Sequence, residues 1–169
     1  MKHSYSFEYL RVVLKPLEYE DIEKLRVLRN KESKYFLNSQ QISSDEQQKW
    51  YERYLAKTDD IMFKVEKATN PGEFIGTIAV YDINWNEKIA ECGRLIIDKE
   101  IAPDKGIGAD TIKAICKFCF DNLKLKKVIA VVLKSNTRIL KIDQRVGFKV
   151  IGDYDEKSYL LEITEQDLA

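Results

Sequence analysis

Gly106 and Gly108 stand one residue apart, with Lys105 before them, Ile107 between them and Ala109 after. A helical repeat follows at once. Ile112, Ile115, Cys116, Cys119 and Leu123 recur at steps of three and four, while Asp110, Lys113, Lys117 and Asp121 fall off that stripe. A glycine turn that opens a helix brings backbone close to a ligand and aims free N–H groups at it, which suits phosphate. There is no G-x-x-x-x-G-K-S/T, so this is not the loop of a P-loop nucleotide hydrolase. The missing third glycine and the late position argue against a Rossmann dinucleotide site. What remains is a short loop whose N–H groups wrap a pyrophosphate.

Upstream of the loop, Glu91 opens a run that contains Leu95, Ile96 and Ile97. Read as a strand, it puts Glu91 on one parity with Gly93, Leu95 and Ile97. A carboxylate in apolar surroundings has a raised pKa and can act as a base, directly or through water. The competing reading pairs Glu91 with Arg or Lys at a strand end. Downstream, Asn136 heads a helix that stops at Gly147-Phe148, where an Asn caps by accepting N–H bonds. Histidine occurs once, at His3 in a terminus expected to be loose. Nucleophilic triads and a His/Cys metal site are therefore not expected. Cys116-x-x-Cys119 has redox spacing, but both thiols lie on the apolar stripe rather than at the helix N-terminus that would activate them. With Cys92 they make an odd count, read as reduced thiols in a cytoplasmic protein.

Strand, glycine loop, helix, strand, then an Asn-led helix ending in Gly-Phe is the order of the GNAT N-acetyltransferases. The chain resembles that superfamily over roughly residues 10–163. Ser135–Phe148, SNTRILKIDQRVGF, carries the later signature, with Gly147 eleven positions after Asn136. The resemblance implies acetyl-CoA as co-substrate and an amine as acceptor. It implies that Ile96, Ile97 and Asp98 pair with the pantetheine arm like an added strand. Lys105, Gly106, Ile107, Gly108 and Ala109 would hold the pyrophosphate, and Asn136 would also touch the arm. Arg138 and Lys141 could offset phosphate charge, as could Lys105. Two departures stand out. Pro103 occupies the place where the family usually has Gln or Arg. Asp143 occupies the place, seven residues after Asn136, where many members have a Tyr that protonates the leaving thiolate. An ionised Asp is a poor donor near neutral pH unless strongly desolvated, so Asp143 stands as a catalytic candidate by its place, with a plain helix-surface residue as the favoured reading.

The acceptor side, by the same resemblance, is the first two helices and their link. Arg29 and Asn30, then Tyr35 and Phe36, followed by a Trp50-bearing helix, look like the branch that acetylates amino sugars on nucleotide carriers. The pattern also touches the ribosomal-protein acetyltransferases. The short tail after Phe148 fits the amino-sugar branch better. Arginine suits phosphate, and aromatics stack on bases or sugars. A protein N-terminus, a polyamine, or a non-catalytic CoA-binding role are the alternatives.

Periodicity supplies the scaffold. Tyr9–Leu14 is predicted as a strand, Glu18–Lys31 as a helix, and Ser43 or Ser44 as the capping box of the next helix. Strands are expected over 60–67, 74–83, 89–98 and 127–133, with a turn at Asn70-Pro71-Gly72. A hairpin, Phe148–Gly152 and Lys157–Ile163, closes the sheet. The fold class is α/β (α+β): one domain over 1–169, a mixed central sheet of six to seven strands, and about four flanking helices. Lys plus Arg is 28 and Asp plus Glu is 28, so no nucleic-acid partner is expected. No apolar run is long enough to span a membrane, and no signal-peptide core is visible. Homodimers are common among similar proteins, and the edge of the last hairpin is a surface that could pair.

Overall fold

The computed structural model describes residues 1–35 and 38–169. Eight strands form one sheet: β1 (Phe7–Tyr9), β2 (Val12–Pro16), β3 (Ile61–Lys67), β4 (Asn70–Asn84), β5 (Ile89–Ile97), β6 (Lys127–Leu133), β7 (Lys149–Asp153) and β8 (Ser158–Ile163). Their order across the sheet is β1-β2-β3-β4-β5-β6-β8-β7, and β5–β6 is the parallel pair. Four α-helices cover it: α1 (Ile22–Lys31), α2 (Ser44–Ala56), α3 (Ile107–Asp121) and α4 (Thr137–Val146).

Side-chain alternation sorts the helices onto two faces. On one, Ile112, Ile115, Cys116 and Phe118 of α3 join Phe63, Val80, Cys92, Val128 and Val146 of α4 in a single core. On the other, Leu25 and Leu28 of α1 meet Tyr51 and Tyr54 of α2 over Met62, Ala79 and Ile96. The parallel β5–β6 pair requires a crossover, and α3 is that crossover. Among the described residues no helix is long and apolar enough to cross a membrane.

The sheet has one strand more than the upper expectation because residues 7–16 make a hairpin rather than one strand. Leu10, at φ 54, turns the chain between β1 and β2. The N-terminus is not loose either. His3 Nε2 lies 3.0 Å from the Met62 carbonyl oxygen, the Met1 ammonium donates to the Asp60 carbonyl, and the Tyr5 and Phe7 rings pack edge-on against Phe118. The helix expected from Glu18 starts instead as a 3-10 turn, Tyr19–Asp21, ahead of α1. Asn70-Pro71-Gly72 is not the turn. The chain reverses at Ala68-Thr69, and the three residues begin β4, where Gly72 N–H donates to the Glu66 carboxylate at 2.9 Å. Proline is tolerated at a strand start, where its missing N–H breaks no ladder bond.

Capping follows the sequence more closely. Ser43 and Glu46 form the reciprocal capping box of α2. The Asn136 side chain accepts from Ile139 N–H at 3.3 Å and caps α4. Gly147 ends α4 at φ 123, and a Cβ there would lie 2.0 Å from the Asp167 carbonyl oxygen, so only glycine fits. Cys92, Cys116 and Cys119 are all free and buried.

Candidate active site

The neighbouring parallel strands β5 and β6 pair over Ile89–Glu91 with Lys127–Ile129 and then part, although both continue for several residues. The gap is a cleft of about 850 Å³. Its walls include Leu95, Ile96 and Ile97 of β5 and Val131, Val132 and Leu133 of β6. Two extended backbones facing each other without a ladder are a natural seat for an extended amide-bearing arm, which can hydrogen-bond like an added strand.

One end of the cleft is the glycine loop. Gly106, at φ 90, turns the chain into α3, and a Cβ on Gly108 would meet nothing, so that position lies open to a ligand. Lys105, Gly106, Ile107, Gly108 and Ala109 line the cleft together with Asn136, Arg138 and Lys141. Arg11 braces the loop from β1–β2. Its Nε donates to Asp110 Oδ2 at 2.5 Å and its Nη2 to the Lys105 carbonyl at 3.2 Å. Arg11 could not have been found by motif, because it is 94 residues from the carbonyl it holds. The open N-terminus of a four-turn helix, flanked by three cations, fits a pyrophosphate, and the split strands fit the arm of acetyl-CoA. Asp98 is not among the lining residues. Its N–H donates to the Ile75 carbonyl at 2.8 Å and its side chain accepts from Glu100 N–H, closing the turn after β5.

The other end is the apex where β5 and β6 part. Here the register runs Thr77 to Ile96 but Ala79 to Gly93, so Arg94 and Leu95 bulge opposite Ile78. Arg94 takes φ 55 at this point. The bulge reverses the alternation the sequence implies: Leu95 and Ile97 pack with the α3 core, while Glu91 faces the α1–α2 side with Tyr81. Tyr81 donates to Glu91 Oε1 at 2.7 Å. Burial raises the Glu91 pKa, and the Tyr81 hydrogen bond partly counters it. Where the competing reading put an Arg or Lys, the hydrogen-bond partner is a tyrosine. Arg94 lies 4.2 Å above the Tyr81 ring and is itself fixed by the buried Asp60, at 2.8 and 3.0 Å. Gly93 leaves room for the ring, since a Cβ there would stand 2.7 Å from the Tyr81 hydroxyl.

Asp143 is not a surface residue. It is only 4% exposed, on the inner side of α4, and lines the cleft from the α3 face. Burial lifts its pKa to about 7. The apolar stripe of α4 (Ile139, Leu140, Ile142, Val146) carries it inward. The residue type alone gave no sign of this.

On the acceptor side, Arg29 and Glu32 at the end of α1 and Asn38 line the cleft with Tyr81, Glu91 and Arg94. Arg29 also donates to the Asn38 carbonyl. Asn30 does not line it. Its amide donates to the Ile42 carbonyl at 2.8 Å and accepts from Ile42 N–H at 2.9 Å, pinning the link to α1. Tyr35 ends a 3-10 turn, Ser33–Tyr35, and Phe36 lies outside the described residues. Trp50 stacks on Tyr54 within the α1–α2 layer.

Over 144 residues the chain is 28% identical to the spermidine N(1)-acetyltransferase of Escherichia coli K12, covering 84% of this chain and 75% of that one. An N-acetyltransferase 9-like protein of Caenorhabditis elegans is 24% identical, over 74% of this chain and 68% of its own length. Among solved structures, the spermidine N-acetyltransferase of Vibrio cholerae in complex with CoA and spermine superimposes with a TM-score of 0.82 at 22% identity. That match covers 93% of this chain and 97% of the other. An apo nucleotide-linked sugar GNAT superimposes at 0.83 with 18% identity, over 98% and 93%. The profile of the Acetyltransferase (GNAT) domain matches residues 11–149, from the arginine that braces the loop to the strand after Gly147-Phe148. With most of its length under that profile, the chain belongs to the GNAT acetyltransferase family, whose members move an acetyl group from acetyl-CoA to an amine.

Proposed function

We propose that the acceptor is the primary amine of a small molecule that also carries an anionic group, such as a nucleotide-linked amino sugar. The observation behind this is the charge of the acceptor side. Arg29 lines the cleft with its guanidinium partly desolvated, which pulls its pKa below the ordinary value. A desolvated cation at the mouth favours an anion and disfavours a polycation. Among the described residues, Glu32 and Glu91 are the carboxylates on this side. A polyamine is the second reading, supported by the spermidine enzymes among the relatives and by Glu32 at the same mouth.

In this reading Glu91, held by Tyr81, takes the proton from the acceptor ammonium, directly or through one water. The free amine attacks the thioester carbon. Backbone N–H groups at the Arg94–Leu95 bulge, where the β4 register breaks, would meet the charge that builds on the carbonyl oxygen. The test is thiol release from acetyl-CoA with nucleotide-linked amino sugars, spermidine and N-terminal peptides as acceptors, wild type beside Glu91→Gln. Turnover with the sugars, lost by ~10²-fold or more in the variant with CoA affinity kept, is the expected result. Turnover with spermidine alone would replace the acceptor.

A further inference from the structure

We propose that Asp143 is the proton donor to the departing thiolate, so that base and acid act from opposite faces of one strand. This rests on the acetyl-transfer reading above but not on the identity of the acceptor.

Adjacent residues of a strand point to opposite faces. Glu91 points to the α1–α2 face, where Tyr81 holds it. Cys92 points to the α3–α4 face, in the core that Val146 of α4 completes. Asp143 lies on that second face. The Cys92 thiol is raised first by its hydrogen bond to Cys116 and then by burial, and Asp143 adds to the shift of both thiols. Asp143 and Cys92 both line the cleft. Both carboxyl groups line the one cleft, and Glu91 stands in the last β5–β6 pair before the strands part. A thioester with its arm between the strands and its acetyl end at the apex thus has Glu91 on one side and Asp143 on the other.

Burial raises the Asp143 pKa to about 7, so the carboxyl is protonated below neutral pH. On the same side of the sheet lie Cys92 of β5, its thiol raised by the hydrogen bond to Cys116 and by burial, and Cys116 of α3, raised by burial. On its own helix, Lys141 and Arg145 line the cleft, and among the described residues no ion pair is formed with Asp143. Among the described residues no side chain donates to its carboxyl. A protonated carboxyl buried in a cleft wall, with its hydrogen uncommitted, is built to give that hydrogen away.

The step balances. The amine nitrogen forms a bond to the carbonyl carbon, the C–S bond breaks, and sulfur keeps its electron pair. Asp143 gives its proton to sulfur, yielding CoA thiol and an Asp143 carboxylate. The proton lost by nitrogen passes to Glu91 and on to solvent, and Asp143 is reprotonated from solvent.

The test uses hydroxylamine as acceptor beside the sugars and spermidine, because it is already unprotonated at neutral pH and needs no particular acceptor pocket. kcat and KM for acetyl-CoA are measured against pH for wild type, Asp143→Asn and Asp143→Tyr. Wild-type kcat should fall as pH rises through about 7. Asp143→Asn should lose ~10²-fold or more in kcat with KM unchanged, and lose that pH limb. Asp143→Tyr, a donor with a pKa near ~10, should recover part of kcat and move the limb upward. Wild-type kcat in Asp143→Asn, or an unmoved limb, would overturn the assignment. If wild type accelerates none of these acceptors while binding CoA, the enzyme reading fails with it. Thermal melts and CoA affinity show whether each variant is folded.

Discussion

The Tyr81 hydroxyl donates a 2.7 Å hydrogen bond to the Glu91 carboxylate, across the β4–β5 pair, one residue before the strands of the cleft part. Burial alone would leave Glu91 with a high pKa. The tyrosine favours the charged form and brings it part of the way down. Tyr81→Phe removes that help. The acid limb of kcat/KM should then move to higher pH, with the plateau within a few-fold of wild type. A limb that stays put would mean that Glu91 does not set it.

Asp60 holds the next link. It is 1% exposed and bridges Lys57 and Arg94, and Arg94 lies over the Tyr81 ring. Asp60→Ala leaves Arg94 without its buried carboxylate, which should cost about 3 kcal/mol in chemical denaturation. It should also lower kcat, as Arg94 swings off Tyr81. Stability loss with unchanged kcat would detach Arg94 from positioning the tyrosine.

Arg11 keeps the Asp110 carboxylate occupied beside the phosphate loop. Arg11→Ala frees that charge near the pyrophosphate, and CoA should bind roughly three- to ten-fold more weakly by calorimetry at low salt. Arg11→Ala/Asp110→Ala should recover much of the loss. Failure of the double variant to recover would make the brace on the Lys105 carbonyl the larger effect.

Asp143 also predicts how stability varies with pH. Its pKa rises from 3.8 to about 7 on folding. Below both values it is protonated in either state. Between them the unfolded chain gains by ionising and the folded one does not, so stability falls as pH rises to about 7 and stays lower above. At about 1.36 kcal/mol per unit, the loss is up to ~4 kcal/mol. Asp143→Asn lacks it, so its melting temperature relative to wild type should be higher at pH 8 than at pH 4. A difference independent of pH would mean that Asp143 is not a neutral buried acid.

Local signals carried most of the fold. The capping box at Ser43–Glu46, the Asn136 cap and the Gly147 stop each depend on residues within one turn, so the sequence places them correctly. The turn at Asn70-Pro71-Gly72 misled because those residue types favour a turn wherever the chain lets them. Here the ladder between Lys67 and Asn70 moved it two residues earlier. The β1–β2 hairpin was hidden because Leu10 and Arg11 have no turn chemistry, and only the pairing of Tyr9 with Val12 forces the reversal.

By itself the sequence determined the glycine loop, the helix behind it, the Asn-led helix and the order in which they come, because each is written in short-range residue types and spacing. Only the tertiary structure decided which side chains meet. The bulge at Arg94 shifted the parity of β5 so that Glu91 turned to Tyr81 while Leu95 and Ile97 turned away. The packing of α4 on α3 buried Asp143 and raised its pKa. Desolvation and strand register are properties of neighbours far apart in the chain, and no window of sequence contains them.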